Sequence, residues 1–142
     1  MVRCLVQLLS LALLLLMTAA PARADGFATL VAALGSDTFA EKEKAIVALG
    51  SLGDARAVPV LQALSDDRLR TGADGRMLIV SPDDPARLVD AMTGRPAADA
   101  PADSLNRVIV NNRLRGDIVA ALGGLTLFSK DRDTRLAAAR DA

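Results

Sequence analysis

The stretch AIVALGSLGDARAVPVLQAL, running from Ala45 to Leu64, holds two apolar helical faces separated by a glycine-marked break. Ile46 and Leu49 continue a stripe that starts at Phe39, while Val60, Leu61 and Leu64 recur at the spacing of a second helix. Gly50-Ser51-Leu52-Gly53-Asp54 interrupts the period. Pro59 fits a first helical turn and disrupts an interior, so the second helix must begin close to it. Two helices of about 11 residues joined by such a turn form an antiparallel hairpin, and their apolar faces need covering by a neighbouring pair.

Upstream, Phe27, Leu30, Val31 and Leu34 fall at i, i+3, i+4 and i+7, with Gly35 as a C-terminal stop, which predicts a short first helix. Thr38 and Glu41 have the spacing of a capping box, Asp37 adds charge near the same helix start, and Glu41 to Lys44 form an expected solvated face. Downstream, the helical period disappears between residues 66 and 104. Arg68 to Thr71 and Arg76 to Val80 flank Gly72-Ala73-Asp74-Gly75, the pattern of a β-hairpin. Leu88 to Met92 predicts another short extended piece, followed by a turn at Thr93-Gly94 and an Ala/Pro/Asp-rich loop from Pro96 to Asp103.

The helix returns after Arg107 to Val110. Asn111 or Asn112 supplies its cap, and Leu114, Ile118, Ala121, Leu122, Leu125 and Phe128 its buried stripe. Gly123-Gly124 should weaken this helix by about 1 kcal/mol per glycine unless another backbone packs closely there, and such packing is expected. Asp131 or Asp133 caps a last segment, Thr134 to Ala142, expected to be the first helix of a further unit cut short before its partner. The fold class expected is therefore mainly α: antiparallel helical hairpins with a small β-hairpin insertion at about 66–104.

The N-terminus has the form of a signal peptide. Arg3 precedes an apolar run from Leu5 to Met17, and Ala22-Arg23-Ala24 offers small residues at cleavage spacing, giving a leader of 1–24 and a mature domain of 25–142. A helix of about 13 residues rises ~20 Å against a ~30 Å hydrocarbon core, too short for an anchor. Cys4 leaves with the leader, so the mature chain is expected to hold no cysteine. No later segment is long enough to span a bilayer, and the expected location is the periplasm, or its face of the inner membrane if the leader is retained.

Composition narrows the chemistry. The full chain carries 17 basic and 17 acidic residues and no His, Tyr or Trp; removal of Arg3 and Arg23 leaves 15 basic residues against 17 acidic. A nearly neutral chain of this kind is not built to attract nucleic acid. Without His and mature Cys, the commonest general base, zinc ligand and thiol nucleophile are missing together. Asp66-Asp67, Asp83-Asp84 and Asp131-x-Asp133 have carboxylates at acid–base or hard-metal spacing, but capping and turn roles account for them more simply. No catalytic, cofactor or metal site is expected. The candidate partner-binding or structural residues are Arg56, with Asn111, Asn112, Arg113 and Arg115 forming the densest polar cluster.

The Ala45–Leu64 stretch resembles a bacterial HEAT-like repeat. Its Leu52-Gly53-Asp54-x-Arg56-Ala57-x-Pro59 core, together with Asp74-Gly75-Arg76, Ala91-Met92-Thr93-Gly94, Val108-x-Val110-Asn111-Asn112-Arg113-Leu114-Arg115 and Ser129-x-Asp131-x-x-x-Arg135-Leu136-Ala137-Ala138-Ala139-Arg140, is similar to the N-terminal extracytoplasmic region of the urea-type ABC transporter permease subunit. The resemblance spans residues 26 to 142. It implies uptake of urea or short amides in a membrane complex with a second permease, two ATPases and a periplasmic binding protein. The membrane helices of that family are absent from these 142 residues. Two other readings stand beside a truncated permease scaffold: a free-standing periplasmic adaptor that binds another envelope protein, and a lyase-like enzyme, since some HEAT-like repeat proteins are chromophore lyases.

Overall fold

The computed structural model describes residues 22–100 and 104–127. Within this range lie helices α1 (Ala22–Ala33), α2 (Phe39–Leu52), α3 (Ala57–Ser65) and α4 (Asn112–Leu127), and strands β1 (Leu69–Thr71), β2 (Met77–Val80), β3 (Leu88–Asp90) and β4 (Asn106–Arg107). The expected signal peptide is outside the described residues up to position 21, with Cys4 in it, and so are Phe128 and the expected terminal helix from Thr134 to Ala142.

The described chain is a mixed α/β fold, which corrects the mainly α expectation. The antiparallel sheet has the order β3-β2-β1-β4. β1 and β2 form the expected hairpin, with Leu69 opposite Ile79 and Thr71 opposite Met77. Gly75, at φ 79°, turns the chain between them, and Asp74 accepts the Arg76 amide at 3.0 Å. β4 is the unexpected strand: Arg107 pairs with Arg70 and Asn106 with Thr71, joining the sheet to the segment before α4. Two polar residues carry no alternating apolar signal, so nothing local marks them as a strand.

Period-two alternation explains why the sheet has a core on each side. Met77 and Ile79 pack toward the helices with Leu69, whereas Leu78 packs with Leu88 and Ala97 in a second small cluster that Val80 and Leu105 border. The main core joins Phe27, Val31 and Leu34 of α1 and its turn to Ile46 and Leu49 of α2, Leu61 and Leu64 of α3, and Leu114 and Ile118 of α4. The second helix does begin near Pro59, at Ala57. Its contacts with α2 are slight, however: α2 packs chiefly on α4 and α1, and α3 leans on α4. The expected α2/α3 hairpin is thus not the main packing pair.

Four local expectations are corrected. Phe39 is about half exposed, and Lys42, expected on a solvated face, is only 5% exposed, beside buried Ala45, Ile46 and Leu49. Positions 42, 45, 46 and 49 share one helical face, so the period placed Lys42 inward despite its charge. The Thr38 side chain makes no cap; Ser36 donates its hydroxyl to Glu41 and accepts the Thr38 amide at 3.2 Å, replacing the capping box. Finally, a Cβ at Gly123 or Gly124 would meet nothing within 4 Å among the described residues. The close helix approach is at Gly50 instead, where a Cβ would fall 2.9 Å from Ala121 Cβ and 3.1 Å from its Cα.

Candidate functional site

The sequence-derived candidates all lie where elements meet. Asp54 follows the left-handed Gly53 and accepts the Arg56 amide at 3.0 Å, while its carboxylate pairs with the Arg56 guanidinium at 2.6 Å. That guanidinium lies 4.2 Å from the centre of the buried Phe27 ring, a cation–π contact tying the α2–α3 turn to α1. The hydrogen bond from Arg56 holds the Asp54 carboxyl below its usual range. Arg56 therefore has a structural task.

Asn111 caps α4 by accepting the Leu114 amide at 2.9 Å, and Asn112 opens the helix in an exposed position. Arg113 reaches back to Glu43 of α2 at 2.6 Å. Arg115 donates to the Ser65 carbonyl at 3.0 Å and approaches Asp67 at 3.4 Å, and Arg107 meets the same carboxylate at 2.6 Å. Asp67 sits at φ 58°, left-handed for a non-glycine residue, where it ends α3. Burial pushes its carboxyl up, but the two arginines outweigh this and hold it below the usual range. The cluster clamps the α3 end, β4 and the α4 start together.

The other carboxylates fill turn roles. Asp66 pairs with Arg68 at 2.8 Å. Asp84 accepts the Ala86 amide at 3.0 Å. Asp90 accepts the Met92 and Thr93 amides, both at 2.9 Å, to shape the turn that Gly94 completes at φ 68°. Among the described residues, no three His, Cys, Asp or Glu converge as metal ligands, and no helix is long and apolar enough to cross a membrane.

A large recess lies away from these candidates. It is a groove of about 480 Å³ between α2 and α4, walled by Val47, Gly50, Ser51, Asp117, Ala121 and Leu125. Gly50, Ser51, Gly53, Ala120, Ala121 and Gly124 give it a lining of mostly small side chains. Val47 is 55% exposed, an apolar side chain left open on the groove wall. One carboxylate oxygen of Asp117, Oδ2, is closed off from solvent and has no hydrogen-bond partner among the described residues. Sequence reasoning missed this site because a lone Asp in a helix with Arg113 and Arg115 nearby looks like an ordinary solvated charge. A second, more polar recess lies at the N-terminal end of α2, against β1 and β4.

The chain matches no protein-family model, and comparison with curated proteins and with solved structures finds no match either.

Proposed function

We propose that the chain is a non-catalytic, extracytoplasmic docking module whose α2–α4 groove receives one helix of a protein partner. The observation that carries this reading is the orphan carboxylate oxygen of Asp117 at the groove wall. A buried polar atom left unpaired costs about 1–3 kcal/mol, a cost relieved when a basic side chain supplies the donor. Ser51, Gly53, Ala120 and Gly124 in the lining support the same reading, because helices approach to the lower end of the 8–10 Å range only where side chains are small. The occupant that fits is a helix presenting small residues and one Arg or Lys.

On the HEAT-like resemblance, stacked helical units leave such a face for the next layer. On the urea-type permease reading, the next layer belongs to a transporter component, and the leader-like N-terminus delivers the module to the periplasmic side of the membrane. Fluorescence anisotropy with two alanine-rich helical peptides, identical except for one Arg or Gln, tests the docking claim. The Arg peptide should bind about tenfold more tightly, and Asp117→Asn should erase the difference, since tenfold corresponds to 1.4 kcal/mol. Equal binding of the two peptides to the native protein would overturn it.

A further inference from the structure

The second recess, of about 360 Å³, is lined by Ser36, Asp37, Lys42, Thr71, Asn106 and Arg107 among others. Its lining includes the one buried charged side chain among the described residues, Lys42. Of the three donors on its ammonium, one goes to the Ile109 carbonyl at 2.9 Å, and the Phe39 ring lies 5.4 Å away. Neither is an anion, and no carboxylate of the described residues lies within ion-pair distance of it. A charge removed from water without a counterion is expensive, by several kcal/mol, and such a residue is retained where something else is gained. Burial lowers the Lys42 pKa, and Asp37, exposed at the mouth, partly opposes that shift.

We infer that this recess is a binding site for a small monocarboxylate, with the Lys42 ammonium as its counterion and the Arg107 guanidinium as a second cation at the rim. Arg107 already pairs with Asp67, but a guanidinium has five N–H donors and serves two carboxylates at once. Thr71 brings a hydroxyl and Asn106 an amide to the same lining, so both oxygens of a carboxylate find donors. The volume is at the small end of ligand sites, which run from about 300 Å³ upward, and suits an acid of a few carbons. Asp37 works against the anion, so its charge sets the affinity from outside. This site shares no residue with the α2–α4 groove, and the two readings stand or fall separately.

The test is an NMR titration of the ¹⁵N-labelled full chain with sodium propionate, with propionamide and sodium chloride as matched controls. Saturable shifts at the Ser36, Thr71 and Asn106 amides are expected with propionate alone, at a Kd on the order of 1 mM. Lys42→Met should abolish them, and Asp37→Asn should tighten binding about twofold, the worth of one screened neighbouring charge. Should Lys42→Met fail to fold, Arg107→Gln, at the exposed rim, should weaken binding severalfold. Equal shifts with propionamide or chloride, or propionate binding indifferent to both Lys42→Met and Arg107→Gln, would overturn the proposal.

Discussion

Replacing Gly50 by Ala should destabilise the protein, although alanine is the better helix former. The new methyl would sit 2.9 Å from Ala121 Cβ and 3.1 Å from Ala121 Cα, where ordinary contacts begin near 3.4 Å. Both atoms belong to a rigid part of α4, so α2 and α4 must separate by several tenths of an ångström. Overpacking of this kind costs about 1–3 kcal/mol. Helix propensity returns about 1 kcal/mol. The net loss is about 1 kcal/mol, or a fall in Tm of roughly 4–8 °C for a domain of this size. Gly123→Ala meets nothing within 4 Å among the described residues and should gain up to about 1 kcal/mol from propensity alone. Adding Ala121→Gly to Gly50→Ala restores the gap, so the pair should lose less than the two single changes together. Urea unfolding followed by circular dichroism at the helix band reads all of these. Gly50→Ala as stabilising as Gly123→Ala would refute the close-contact reasoning.

Lys42→Met should be neutral or stabilising at pH 7, because an apolar chain of similar length replaces a buried charge and the Ile109 carbonyl, on a residue 63% exposed, regains water; thermal melts check it. Since burial lowers the Lys42 pKa below 10.5, the unfolded chain holds more protons than the native one between the lowered value and 10.5. Native stability should therefore gain relative to Lys42→Met across that interval, measurable as the difference between two urea titration series. In acid the sign is the same. Asp54, Asp67 and Asp74 have carboxyls held below their ordinary value, so their contribution is present above about pH 4 and lost as pH falls through the native values. Asp67→Asn keeps a residue tolerant of φ 58° but frees Arg107 and Arg115; it should cost under about 1 kcal/mol at pH 7 and flatten part of the acid loss.

Signals confined to a few neighbouring residues were legible in the sequence. The Arg68–Val80 hairpin follows from two short runs flanking the turn residues Gly72-Ala73-Asp74-Gly75, and Asn111 follows from cap chemistry. Lys42 was legible too, had its place on the 45, 46 and 49 stripe outweighed its charge. The rest depends on contacts between distant positions. β4 is a strand because Thr71 and Arg70 stand opposite it, not because Asn106-Arg107 favour extension. Asp67 finds its partners 40 and 48 residues further along. The glycine that meets a neighbouring backbone is set by how α2 and α4 are rotated about their axes. Gly123-Gly124 advertised close packing, yet the contact fell to Gly50. Asp117 was invisible for the same reason, since its isolation comes from what surrounds it in space.

Asp117 is the polar anchor of the proposed helix-receiving groove. A double-mutant cycle tests this most directly: native and Asp117→Asn protein, each titrated with the arginine peptide and its glutamine counterpart. A coupling free energy of about 1.4 kcal/mol between Asp117 and the arginine is the predicted result. Coupling near zero, with both peptides bound alike by both proteins, would contradict it.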